Sequence, residues 1–135
     1  GHKAMFFSRE LPNSELFKKI ICLESEQLSY GMVRKNVFTE LELKIVDNTI
    51  NQIRNKYSPD KFLMFDNLKD FALSSSEVKK FKPDIIFDDY IQLIACEGYA
   101  DSRRLQIEKL VNDYKWLAKE TDSAVVLASQ LNRGI

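Results

Sequence analysis

The sequence predicts an α/β domain with a four-stranded, mainly parallel sheet flanked by helices, and three observations lead there. Short apolar runs recur four times, and amphipathic stretches of helical length separate them. The runs are continuous rather than alternating, as expected of parallel strands buried on both faces. The length, 135 residues, fits one domain, and 44% hydrophobic residues with 11% aromatic supply enough apolar surface for a core.

The elements follow in order. Ala4-Met5-Phe6-Phe7-Ser8 is the first strand, and Pro12 ends it. A helix fits from about Asn13 to Glu24, with Leu16, Phe17, Ile20 and Leu23 at helical spacing and Asn13 as its cap. Ser29 to Asn36 reads as a short helix. Thr39-x-x-Glu42 is a capping-box pattern. Leu43, Val46, Ile50, Ile53 and Tyr57 carry that helix to about Lys56, where Ser58-Pro59 stops it. Phe62–Phe65 is the second strand. Ser74-Ser75-Ser76 reads as a turn, followed by a short helix near Glu77–Phe81 that Pro83 closes. Asp84–Asp89 is the third strand, and residues 95–102 form a polar loop. Ile107, Leu110, Val111, Tyr114 and Leu117 share one face of a long helix over Arg103–Glu120. Ala124–Ser129 is the fourth strand. Trp116 lies opposite that face, beside Leu105. It reads as a helix flank partly covered by a neighbouring strand or loop, with packing on an adjacent subunit as the alternative.

Composition removes several classes of function. Twenty basic and 20 acidic residues leave no net charge, which argues against a purely electrostatic nucleic-acid binder but allows a local basic loop. No apolar run is long enough to span a membrane, and no leader resembles a signal peptide. Cys22 and Cys96 read as reduced thiols of a cytoplasmic protein. With His2 as the lone histidine, neither a four-ligand zinc site nor a histidine-activated nucleophile is expected. Residues 1–3, beginning Gly1-His2, read equally as an expression scar or as native chain. Only four glycines occur, Gly1, Gly31, Gly98 and Gly134, where average usage gives about nine. None are clustered, so no glycine-rich phosphate loop can be built from these residues.

Parallel α/β folds bind ligands at the carboxyl ends of their strands. Those ends are Ser8–Glu10, Asp66–Asn67, Asp88–Tyr90 and Ser129–Gln130. Glu10, Asp89 and Gln130 stand out there. An acidic residue ending an apolar strand suits Mg²⁺, which takes a few carboxylates with water and phosphate oxygens. A second carboxylate can orient or deprotonate an attacking water. A glutamine amide can report on a phosphate through its N–H donors. Taken singly, each residue also serves as a helix cap or turn former, and that reading stays open.

The local wording narrows the choice. Phe6-Phe7-Ser8-Arg9-Glu10-Leu11, Asp89-Tyr90-Ile91-Gln92-Leu93-Ile94 and Ser129-Gln130-Leu131-Asn132-Arg133 occur in this order. They resemble the F-F-S-L-E-M, I-D-Y-L-Q-L and S-Q-L-N-R motifs of the replicative hexameric DNA helicases of the DnaB type. Lys115-Trp116-Leu117-Ala118-Lys119-Glu120 is similar to that family's K-x-L-A-K-E helix end. The resemblance covers nearly the whole chain, and the D-Y-x-Q-L and S-Q-L-N-R pair is its specific part.

The resemblance implies a three-layer, RecA-like P-loop NTPase core within an ATP-dependent DNA helicase. It implies Glu10 as the catalytic glutamate and Asp89 as the Walker B aspartate that holds the Mg²⁺ of bound ATP through water. Gln130 is implied to couple the γ-phosphate to the DNA-binding loop that follows it. The loop after Leu93 and the segment from Leu131 are implied to face a central pore. Arg103, Arg104, Asn132 and Arg133 are therefore candidates for single-stranded DNA contacts. For Arg103 and Arg104 a solvated helix start is the alternative, although cations oppose the dipole there. The implied partners are single-stranded DNA, five further copies in a homo-hexamer, and a primase or loader.

Two departures from the family pattern stand out. Arg9 and Asp88 each replace an apolar residue. By strand pattern alone Asp88 could hold the metal; the D-Y-x-Q-L register favours Asp89. The Asp66–Asp89 stretch is short for the family, as in phage-like or divergent members, and predicts a stubby crossover helix. The family's Walker A segment precedes the first strand here, and its arginine-finger strands follow the last. The 135 residues thus read as a partial RecA-like domain that alone does not hydrolyse ATP. The implied strand order is Phe62–Phe65, Ala4–Ser8, Ile85–Asp89, Ala124–Ser129, with the last an open apolar edge. Rival readings are another RecA-like ATPase of recombinase or clock type, and a short non-enzymatic paralogue that binds helicase subunits.

Overall fold

A computed structural model describes residues 1–96 and 102–130. The chain divides into two compact units, Gly1–Glu10 with Asp60–Ile135, and Leu11–Pro59.

The first unit holds the sheet. Its strands are β1 (Ala4–Ser8), β2 (Phe62–Phe65), β3 (Ile85–Asp89) and β4 (Ala124–Leu127), in spatial order β2-β1-β3-β4 and all parallel. This is the order expected from the sequence. Among the described residues β4 pairs with β3 alone, and Val126 on it is 47% exposed. Register pairs Ser8 with Asp89 and Asp88 with Leu127. Helices α4 (Phe71–Phe81) and α5 (Arg103–Thr121) connect the later strands. Met5, Phe7 and Ile86 point to one face, where they pack with Val78, Leu110, Tyr114 and Leu117 into a dry core. The alternate residues Phe6 and Phe87 are half-buried and stack at 6.3 Å. β1, β3 and β4 therefore alternate in burial for most of their length, against the expectation of strands buried on both faces, because successive side chains leave opposite faces of the pleat, while β2 is half-buried throughout.

Two expectations fail in this unit. Helix α4 begins six residues before the predicted Glu77, and Ser74, Ser75 and Ser76 lie within it rather than in a turn. Asp70 caps it by accepting from the Leu73 N–H at 2.8 Å. Buried Ser74 satisfies its hydroxyl on the Asp70 carbonyl one turn back at 3.0 Å, which makes a serine tolerable mid-helix. Among the described residues no strand or loop covers Trp116. It is 70% exposed, with the Lys119 ammonium over its ring.

The second unit is helical: α1 (Asn13–Ser25), α2 (Tyr30–Lys35) and α3 (Glu40–Lys56). Ile21, Leu28, Val33 and Ile53 form its core. The Thr39–Glu42 capping box forms in both directions. Pro12, not Asn13, holds the N-cap position of α1, since its fixed φ of −65° with ψ of 150° gives the extended entry a cap requires. The buried face of α1 is turned from the expected one: Leu23 is 77% exposed and Ile21 is inside. Leu43 at the start of α3 is likewise 47% exposed.

Glycine scarcity has a visible consequence. Helices α1, α2, α4 and α5 end on Glu26, Asn36, Lys82 and Asp122, each with φ near +54°. Glycine usually takes this place, and a side chain there costs roughly 1–2 kcal/mol.

Candidate active site

The site grows from the carboxyl ends of three neighbouring strands. Glu10 lies two residues past β1, Asp89 is the last residue of β3, and Gln130 lies three residues past β4. The strand order β1-β3-β4 sets these ends side by side, at the ~4.8 Å spacing of a sheet. All three residues are exposed. Pairing runs on past the ladder: the Arg9 N–H donates to the Asp89 carbonyl at 2.8 Å, and the Ala128 N–H to the Asp88 carbonyl at 2.9 Å. The Asp89–Tyr90 peptide is cis.

The residues one place earlier behave differently. The side chains of Arg9 and Asp88 are 2% and 0% exposed and form a two-pronged ion pair. Arg9 Nε donates to Asp88 Oδ1 at 2.8 Å and Nη2 to Oδ2 at 2.5 Å. Nη1 donates to the Leu68 carbonyl at 2.6 Å and Nη2 also to Ser74 Oγ at 2.9 Å. The Tyr114 hydroxyl donates to Asp88 Oδ2. Burying two charges is costly unless geometry is good and the remaining donors and acceptors are met, and here they are met. Burial pushes the Tyr114 phenol far above its usual range, and the Asp88 carboxylate adds to this. The Arg9 guanidinium also sits above its ordinary value. Burial opposes that rise as the largest single influence, and the Asp88 carboxylate outweighs it.

This network sets the two aspartates apart. Both Asp88 oxygens are engaged by protein donors, so a metal there would have to break the pair. The Asp89 carboxylate is exposed and makes no hydrogen bond or ion pair among the described residues. Nor does any group of three His, Cys, Asp or Glu side chains form a cage among them. One carboxylate, with water and phosphate oxygens completing the shell, fits Mg²⁺ and not a metal held by protein alone.

Arg103 is exposed at the start of α5, where its Nη2 donates to the Gln92 carbonyl at 2.5 Å. Arg104 is exposed beside it. Asn132 and Arg133 lie outside the described residues, as does part of the loop after Leu93. Sequence reasoning missed the Arg9–Asp88–Tyr114–Ser74 network. Its signal was present as two opposite charges, each replacing an apolar residue next to a strand end. It also missed Gln92, whose side-chain amide bonds the backbone of Gln130.

A family model, the DnaB-like helicase C terminal domain, matches residues 1–135. The chain belongs to this family. The replicative DNA helicase DnaB of Buchnera aphidicola subsp. Schizaphis graminum is 27% identical over 140 residues, covering 97% of this chain and 29% of that protein. The replicative DNA helicase DnaB of Rickettsia prowazekii is 25% identical over 134 residues, covering 96% of this chain and 27% of that protein. Among solved structures, a DnaB-like replicative helicase, described with its interactions with primase, superposes with a TM-score of 0.83 at 25% identity, over 98% of this chain and 32% of that one. A separate solved ATPase domain also gives a TM-score of 0.83, at 24% identity, over 98% of this chain and 48% of that one. This DnaB-like chain has the RecA-like fold expected above, and it spans under a third of the length of these curated relatives. Among its described residues no helix is long and apolar enough to cross a membrane.

Proposed function

We propose that this DnaB-like chain is the central part of an ATP-driven replicative DNA helicase acting as a cytoplasmic hexameric ring. The observation that carries the reading is the exposed row Glu10, Asp89 and Gln130 at three adjacent strand ends. The buried engagement of Asp88 leaves Asp89 as the available carboxylate of β3. In this reading Glu10 accepts a proton from the attacking water and orients it toward the γ-phosphorus. Asp89 would hold Mg²⁺ through water, and the bound ion would supply charge neutralisation on the phosphate oxygens. Gln130 reports on the γ-phosphate to the segment after it. Arg103, Arg104, Asn132 and Arg133 face single-stranded DNA. The 135 residues hold no glycine-rich phosphate loop, so the triphosphate is gripped by other parts of the ring, and a primase or loader docks elsewhere on it.

The test is Mg²⁺-dependent ATP hydrolysis and strand separation by the full-length protein. Glu10→Gln should lower hydrolysis by about 10²–10⁴-fold, the usual contribution of an acid–base group. Wild-type turnover in that variant removes Glu10 from the role. The 135-residue chain by itself should show no turnover above background.

A further inference from the structure

Gln92 extends the sheet beyond its last strand residues. It sits in a 3-10 turn, Ile91–Leu93, that follows Asp89 and Tyr90. Ile91 anchors the turn: its side chain is 2% exposed and its N–H donates to the Ala128 carbonyl at 3.1 Å. Past that point β3 has turned away, and its backbone no longer pairs with residues 129 and 130. The Gln92 side chain takes over. Its Oε1 accepts from the Gln130 N–H at 3.2 Å, and its Nε2 donates to the Gln130 carbonyl at 3.0 Å and to Ser129 Oγ at 2.6 Å. A primary amide offers the same acceptor and donor as a peptide group, so Gln92 stands in for one more residue of a partner strand. Asparagine lacks the length for this, and glutamate lacks the donor. The main-chain carbonyl of the same residue accepts from Arg103 Nη2 at 2.5 Å. One residue therefore touches the chain just before Leu131 and the first residue of α5.

We propose that Gln92 is a positioning residue that ties Gln130 to Arg103, so that a shift of one candidate DNA segment is passed to the base of the other. The proposal deepens the helicase reading and rests on it. It also gives the D-Y-x-Q-L and S-Q-L-N-R motifs a shared physical reason, since the glutamine of the first is bonded to the backbone of the second.

The test uses the full-length protein with Gln92→Ala and Gln92→Glu. Amide hydrogen exchange at Gln130, measured without nucleotide or DNA, should quicken about fivefold in Gln92→Ala, the factor that one net hydrogen bond supplies. Gln92→Glu keeps the acceptor and should fall between. The ratio of ATP hydrolysis with single-stranded oligo(dT) to hydrolysis without it should drop at least about fivefold in Gln92→Ala, the lower end of typical coupling between sites. Unchanged exchange overturns the clamp. Faster exchange with a wild-type ratio leaves Gln92 merely structural and overturns the coupling. A wild-type protein that oligo(dT) does not stimulate, yet whose Gln130 exchange responds to Gln92→Ala, refutes the helicase reading and the coupling with it while leaving the clamp in place.

Discussion

Arg9 and Glu10 are neighbours in the chain, as are Asp88 and Asp89, yet the members of each couple meet opposite surroundings. Arg9 and Asp88 turn into the core and bond each other with almost no exposure. Glu10 and Asp89 turn out at the same strand ends and face solvent. On β3 the pleat makes the difference, since successive side chains leave opposite faces of a strand; just past β1, Arg9 is held inward by its bonds to Asp88, Ser74 and the Leu68 carbonyl. The lesson is that charge at a strand end does not by itself mark chemistry. The inward pair spends its hydrogen-bonding capacity on the fold, and the outward pair keeps its own available for a ligand.

Unfolding measurements can break this contrast. The largest effect is expected from splitting the inward pair. Asp88→Ala or Arg9→Leu alone leaves a buried charge without its partner and should cost about 3–5 kcal/mol in urea unfolding. The double variant Arg9→Leu/Asp88→Val restores the apolar pairing of the family and should recover most of that loss. If the double variant is as unstable as the singles, the pair is not a self-contained exchange for an apolar one.

A smaller effect is expected at the edge of the same network. Tyr114→Phe removes a donor to the buried carboxylate and should cost about 1.5–3 kcal/mol. The change also alters the response to alkali. The fold holds Tyr114 protonated above the ordinary tyrosine range. Its contribution is therefore full below the unfolded-state pKa of about 10 and fades as pH rises past it. Stability of the wild type should fall more steeply above that pH than stability of Tyr114→Phe. Parallel curves would mean that the phenol is less enclosed than the structure has it.

The smallest change in stability is expected from the outward pair. Glu10→Gln and Asp89→Asn should each stay within about 0.5 kcal/mol of wild type, as surface substitutions do. Both should nevertheless abolish most Mg²⁺-dependent hydrolysis in the full-length protein. A large loss of stability in Asp89→Asn would place that carboxylate in the structural class with Asp88.

Local patterns carried most of the fold. The four apolar runs became the four strands, and Thr39-x-x-Glu42 became a two-way capping box. The serine run reads as a turn because serine favours turns in isolation, yet it lies within α4. In the structure Ser74 meets Arg9, from a strand end 65 residues earlier in the chain, and this long-range bond supports a helix there. Leu23 was misplaced for a similar reason: helical spacing admits two neighbouring faces for α1, and packing with α2 and α3 selects the one bearing Ile21. Glu10, Asp89 and Gln130 stand out as candidates in the sequence because each lies at or just past the end of an apolar run, and the structure sets those ends side by side. Gln92 does not, since nothing in its own neighbourhood announces a partner 38 residues away.

The sequence by itself determined most element types through local spacing, and through motif wording the family and, by that resemblance, the order of the strands. Tertiary structure alone decided that Asp88 is spent on a buried ion pair while Asp89 stays exposed, which face of α1 is buried, and that one glutamine amide joins two motifs. Those outcomes depend on contacts between residues far apart in the chain, where burial and hydrogen-bond geometry, not residue type, choose between equivalent side chains.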